Sequence, residues 1–196
     1  MPTGQPGYSN QTGAGSTAPA TMRDSLGAPG VTGQQMEDKK FMQDAAQGGI
    51  AEVQLGKLAL QKGSPEVKTF AQKMVDDHTA INADISSVAD SLGVMLPKKM
   101  NKDDQAEYDK LAKLSGNDFD TEYILAMSKA HRADFREFRM ESMAAADPTL
   151  QTEVSKAATI IREHLMMLTE LAKAKNVTLP ARPPRPGGPP PPPAGQ

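Results

Sequence analysis

Three histidines, His78, His131 and His164, are the only imidazoles in this 196-residue chain. Each falls on the apolar stripe of a helix-forming segment, with stripe residues three or four apart. His78 lies on Val67, Phe70, Met74, His78, Ile81, Ile85, Val88, Leu92. His131 lies on Ile124, Met127, His131, Phe135, Phe138, and His164 on Leu150, Val154, Ala157, Ile161, His164, Leu168, Leu171. A carboxylate, Glu52, interrupts a fourth stripe, Phe41, Ala45, Gly49, Glu52, Gly56, Ala59. Stripe residues face the interior of a helical protein. All four polar residues stand near the midpoint of their helix, and midpoints of packed helices meet whichever way each helix runs. The spacing predicts one buried layer made of Glu52, His78, His131 and His164. Imidazole and carboxylate are ligands for zinc, copper, iron or manganese, and bundle cores are where facing helices build such sites. A buried carboxylate needs compensation, from imidazoles or from a metal bound to them. In the other reading, the four residues satisfy one another by hydrogen bonds, with water, and only fix the packing.

Further carboxylates surround this layer. Asp77 precedes His78, Glu163 precedes His164, and Asp134 lies one turn after His131. Neighbours in sequence are about 100° apart on a helix. Asp77 and Glu163 therefore point toward an adjacent helix, where they orient a histidine or stand in solvent. Methionines recur too: Met74 and Met127 four residues before a histidine, Met167 three after one. With the expected helix directions, all three fall on one side of the layer. They are soft ligands suited to Cu(I), or core filler. The chain holds no Gly-x-Ser-x-Gly, phosphate loop or His-Glu-x-x-His.

The elements that must position these residues are four long helices. The first is expected from Met36 to Lys62 and is stopped by Gly63. Ser64 then caps a second helix whose first residue is Pro65, and which ends at Gly93. So short a link makes an antiparallel hairpin. Val94 to Asn117 is long for a connection in a helical domain. It carries Met95–Leu96–Pro97, extended before proline, and a short helix expected from Asp103 to Leu114. It is long enough to return the chain to the starting end, so the second and third long helices run parallel. The third is expected from Asp118 to Ala146. Asp147–Pro148 then starts the fourth, from Thr149 to Lys175, with Asn176 as a left-handed cap. A weak internal repeat fits two hairpins related by a pseudo-twofold axis.

Composition divides the chain into residues 1–35, 36–180 and 181–196. The first span is rich in Gly, Pro, Ser, Thr and Gln, and the last is mostly Pro and Gly, with Pro189 to Pro193 unbroken. Neither has the apolar residues to offset the entropy of ordering, so both are expected to be disordered tails. The last favours polyproline II, either solvated or docked on a proline-reading domain. The net charge of −2, with both signs mixed, argues against nucleic acid as a partner. No run of 18 apolar residues suggests a transmembrane span. Nor does a signal peptide open the chain as written, which leaves a cytoplasmic location open. With no cysteine there are no disulfides, thiolate sites or cysteine nucleophile. The sequence names no protein partner, and it leaves homo-oligomerisation open.

Three runs resemble a family. They are Phe41-x3-Ala45-Ala46-x-Gly48-Gly49-x-Ala51-Glu52-x2-Leu55-Gly56, then Phe70-Ala71-x2-Met74-x2-Asp77-His78-x3-Asn82, then Phe119-Asp120-x2-Tyr123-Ile124-x2-Met127-x3-His131. Together they are similar to the ferritin-like domain-of-unknown-function family 4142 of bacteria, over about Lys40 to Leu179. The resemblance implies an all-α, ferritin-like four-helix bundle, usually exported to the periplasm or cell envelope. It implies no activity. The wider ferritin-like superfamily binds di-iron through Glu-x-x-His on two helices. Here Val75 and Ile161 stand three residues before His78 and His164. The bridging glutamates are missing, which points away from di-iron chemistry and toward a single transition metal in a Glu/His₃ shell, or none.

Overall fold

The computed structural model describes residues 33–181. Five helices occupy them: α1 Gly33–Lys62, α2 Pro65–Ser91, α3 Lys102–Ala112, α4 Gly116–Ala144 and α5 Pro148–Ala174. α1 packs along α2, and α4 along α5; α2 then packs on α5 and α1 on α4, which closes a four-helix bundle. No helix among the described residues is long and apolar enough to cross a membrane.

The helix directions follow from two apolar clusters. One joins Leu58 at the end of α1, Val67 and Phe70 at the start of α2, Phe119 at the start of α4 and Leu171 at the end of α5. The other joins Met42 on α1, Val88 on α2, Phe138 on α4 and Leu150 on α5, the opposite ends of the same helices. So α2 and α4 run parallel, with α1 and α5 antiparallel to both. The crossover between α2 and α4 is present, with α3 inside it. α3 packs on α1 and α4, and Leu111 inserts fully into the first cluster.

Local chemistry sets the boundaries. Asp147 accepts from Thr149 N at 2.9 Å and Leu150 N at 2.8 Å, while Pro148 supplies a first helical residue that needs no donor. Asn101 caps α3 by accepting from Asp104 N at 2.8 Å. Asn176 takes a left-handed φ of 56° after α5. The backbones of α1 and α2 approach closely where α1 has no side chains. A Cβ on Gly49 would meet Asn82 Oδ1 at 1.9 Å, and one on Gly56 would meet Val75 Cγ2 at 2.7 Å.

Several expectations are corrected. Residues 33–35, assigned to the first tail, open α1 as its first turn. The disordered tails expected at residues 1–32 and 182–196 lie outside the described residues. Ser64 has the backbone of a cap, but its hydroxyl makes no capping bond; its N–H instead donates to Asp120 on α4 at 3.1 Å. Leu92 lies just past α2 and is exposed, because the stripe outruns the helix by one residue. At the start of α1 the buried face runs through Asp38 and Met42, with Phe41 only half-buried.

The two turns are tied in a reciprocal way. Asp120, near the start of α4, holds the α1–α2 turn through Ser64 N. Asp38, near the start of α1, holds the α4–α5 turn by accepting from Ala146 N at 2.9 Å. Both carboxylates are buried, and each relieves a backbone donor that the turn leaves without a partner.

Candidate metal centre

Glu52, His78, His131 and His164 lie at one height, between the two apolar clusters, and all four are buried. Four helices supply them: α1 gives Glu52, α2 His78, α4 His131 and α5 His164. Three imidazole nitrogens turn inward. His78 Nε2 stands 3.3 Å from His131 Nε2, which stands 3.2 Å from His164 Nδ1. Each ring can offer one ligand nitrogen, with all three within 4.8 Å of one another.

The outer nitrogens meet carboxylates. His78 Nδ1 donates to Glu52 Oε2 at 2.7 Å. His164 Nε2 donates to Asp77 Oδ2 at 2.7 Å across the α2–α5 interface. Lys73 donates to the same Asp77 oxygen at 2.7 Å. In neutral rings these two bonds place the protons of His78 and His164 on their outer nitrogens and leave the inner ones as lone pairs. His131 Nε2 faces both and can carry at most one proton. The centre therefore has more acceptors than donors, and a cation is what it can take.

Glu52 stands behind His78 and His131, against their Nδ1 atoms, rather than among the inward nitrogens. An ion held by the three inner nitrogens would have Glu52 and Asp77 as carboxylates orienting its ligands. Glu163 is exposed and bonds none of the histidines; its charge acts on Lys73. Met74 and Met127 pack within the first apolar cluster, and Met167 lies half-buried against it, all on one side of the layer.

A second constellation lies behind His131. Its Nδ1 is 3.1 Å from Glu52 Oε1, yet the angle makes no hydrogen bond; the Met127 backbone lies beside the ring and the Asp134 carboxyl beside Glu52. Asp134, one turn on, brings a ligand atom within 4.8 Å of ligand atoms of Glu52 and His131. Sequence reasoning left Asp104 out. It sits in the first turn of α3, where an acid reads as a helix-dipole partner. Its charge nevertheless acts on Asp134, and its Oδ2 is buried without a partner.

The protonation states follow from burial and neighbours. Burial pushes His131 down to about 4, against the pull of Glu52. Burial also lowers His164, with Asp77 opposing it. Both rings are neutral near pH 7, the state in which imidazole binds metal. Burial alone would raise Glu52, but the imidazoles of His78 and His131 outweigh it and hold the carboxyl below its usual range. Burial would likewise raise Asp77, and the Lys73 and His164 donors bring it below its ordinary value. Asp134 goes the other way: burial, then the Glu52 charge, push it up to about 9.

An all-helical bundle with a crossover and a histidine layer in its core defines the class of protein. The chain belongs to the DUF4142 family, a domain of unknown function, whose model matches residues 24–171. Two solved structures share the fold. One is a DUF305 protein from Streptomyces coelicolor, provisionally described as secreted. It is 15% identical with a TM-score of 0.64, over 74% of this chain and 96% of its own. The other is a DUF305 fragment from Deinococcus radiodurans, 14% identical with a TM-score of 0.63, over 74% of this chain and 99% of its own. At such identities the likeness concerns the fold alone. No curated protein matches the chain in sequence.

Proposed function

We propose that this protein binds a single transition metal ion in its bundle core through His78 Nε2, His131 Nε2 and His164 Nδ1. Glu52 and Asp77 hold the rings from outside. The observation that carries this reading is the inward convergence of three nitrogens at 3.3 and 3.2 Å. Nitrogens bound to one ion at about 2.0–2.1 Å and a tetrahedral angle stand about 3.3–3.4 Å apart. The carboxylate behind each of two ligand rings is the usual device that fixes ring orientation and raises ligand basicity. Three imidazoles suit zinc, copper or iron better than a hard cation. A cell-envelope location belongs to this reading, with the description of the Streptomyces neighbour in its support.

One observation favours a second reading, a polar layer that only fixes packing. The contacts Glu52–His78–His131–His164–Asp77 already form a chain at 2.7–3.3 Å without an ion. Calorimetric titration of untagged, metal-stripped protein with Zn²⁺ and Cu²⁺ separates the two. The metal reading expects one ion per chain in the wild type, and none held tightly in His78→Ala or His164→Ala. A wild type that binds nothing, or variants that bind as well as it does, would leave the packing layer.

A further inference from the structure

A cavity of about 50 Å³ opens beside the histidine layer. Its walls run from Asp44 and Glu137, both exposed, past Gly48 to Glu52, His78 and Asp134. No Lys or Arg lines it; Lys40 pairs with Asp44 at the outer edge. The volume exceeds the roughly 10–15 Å³ that one water needs. Glu52 and Asp134 line its inner part, and His131, just behind the wall, brings a ligand atom within 4.8 Å of theirs.

We propose that Glu52 Oε1, Asp134 and His131 Nδ1 form a second, oxygen-rich cation position, which the ion occupies between solvent and the three inward nitrogens. Three features of the geometry support it. First, ligand atoms of Glu52, His131 and Asp134 lie within 4.8 Å of one another, and Glu52 and Asp134 both line the cavity. Second, His131 belongs to both positions, one nitrogen on each, so an ion passing inward exchanges one face of the ring for the other. A neutral imidazole has one lone pair, which makes the positions alternatives rather than a pair filled together. Third, Asp44 and Glu137 at the mouth and Glu52 farther in carry negative charge, which concentrates cations and speeds their capture. Carboxylate with a single imidazole also grips late first-row ions less firmly than three imidazoles do, as a staging position must.

The inference rests on metal binding by the three histidines, and its test separates the two. Stopped-flow loading of the metal-free protein with Zn²⁺ is compared among wild type, Asp134→Asn and Glu137→Gln. The expected result is loading slowed about tenfold in Asp134→Asn, and by a smaller factor in Glu137→Gln. The final stoichiometry stays at one ion per chain in both. Glu137 is exposed, so its variant tests the acidic approach without touching the core. Loading at the wild-type rate in both variants, with one ion bound, would overturn the staging position and leave the three-histidine site standing. A wild type that takes up no ion would remove both.

Discussion

His131 is fully buried with a neighbour beside each nitrogen, and its charge state governs the layer. Its ordinary pKa is 6.5, and in the fold it stands at about 4. Between those values the unfolded chain holds the proton and the folded one does not. Stability is therefore full above about pH 6.5 and falls as the pH drops toward 4. A shift of this size corresponds to about 3 kcal/mol. Denaturant melts of metal-free protein at several pH values should show wild type losing that much more than His131→Leu across the interval. Equal losses would mean that His131 is not held neutral by burial. Asp77 is tested differently. Replacing it with Ala leaves the His164 N–H without its acceptor, and the metal affinity should fall 10–100-fold in competition titrations. An unchanged affinity would show that Asp77 only pairs with Lys73.

The helices were legible from their stripes, because burial of a rod repeats every three or four residues and punctuation by Gly63, Pro65 and Pro148 is local. Every stripe residue of α5 is buried. What the stripes do not carry is the direction of a side chain within its layer. Periodicity put Glu52 at the right depth but could not say that it stands behind the rings. Asp38 and Asp120 look like ordinary acids near helix starts, and only tertiary structure makes them the clamps on the two turns. Neighbouring glycines of α1 show the same limit. Gly48 faces open space and Gly49 faces Asn82, a difference no sequence pattern reveals. Gly48→Ala should stabilise the protein by about 0.5–1 kcal/mol through helix propensity. Gly56→Ala, whose Cβ would meet Val75 Cγ2 at 2.7 Å and the Ala71 carbonyl at 3.4 Å, should destabilise it by about 1–3 kcal/mol through overpacking. Thermal melts of the pair check both signs, and two shifts of the same sign would contradict the α1–α2 approach described above.

The bundle places its polar layer between two apolar clusters, and that arrangement ties fold to function. Each cluster draws on the ends of all four long helices, so the midpoints are held together from both sides. The crossover sends α4 in parallel to α2 and carries α3, with Asp104, to the side of Glu52 and Asp134. A chain of four alternating helices without it would still align midpoints but would lack those contacts. The resemblance read from the sequence and the family match concern the same bundle, and neither carries an activity. The central claim is thus geometric: three rings from three helices aim their nitrogens at one point. Anomalous scattering from crystals grown with Zn²⁺ tests it most directly. A peak is expected inside the bundle, about 2.0–2.1 Å from His78 Nε2, His131 Nε2 and His164 Nδ1. A core without such a peak, in crystals whose surface histidine-free sites do or do not take the ion, would contradict it.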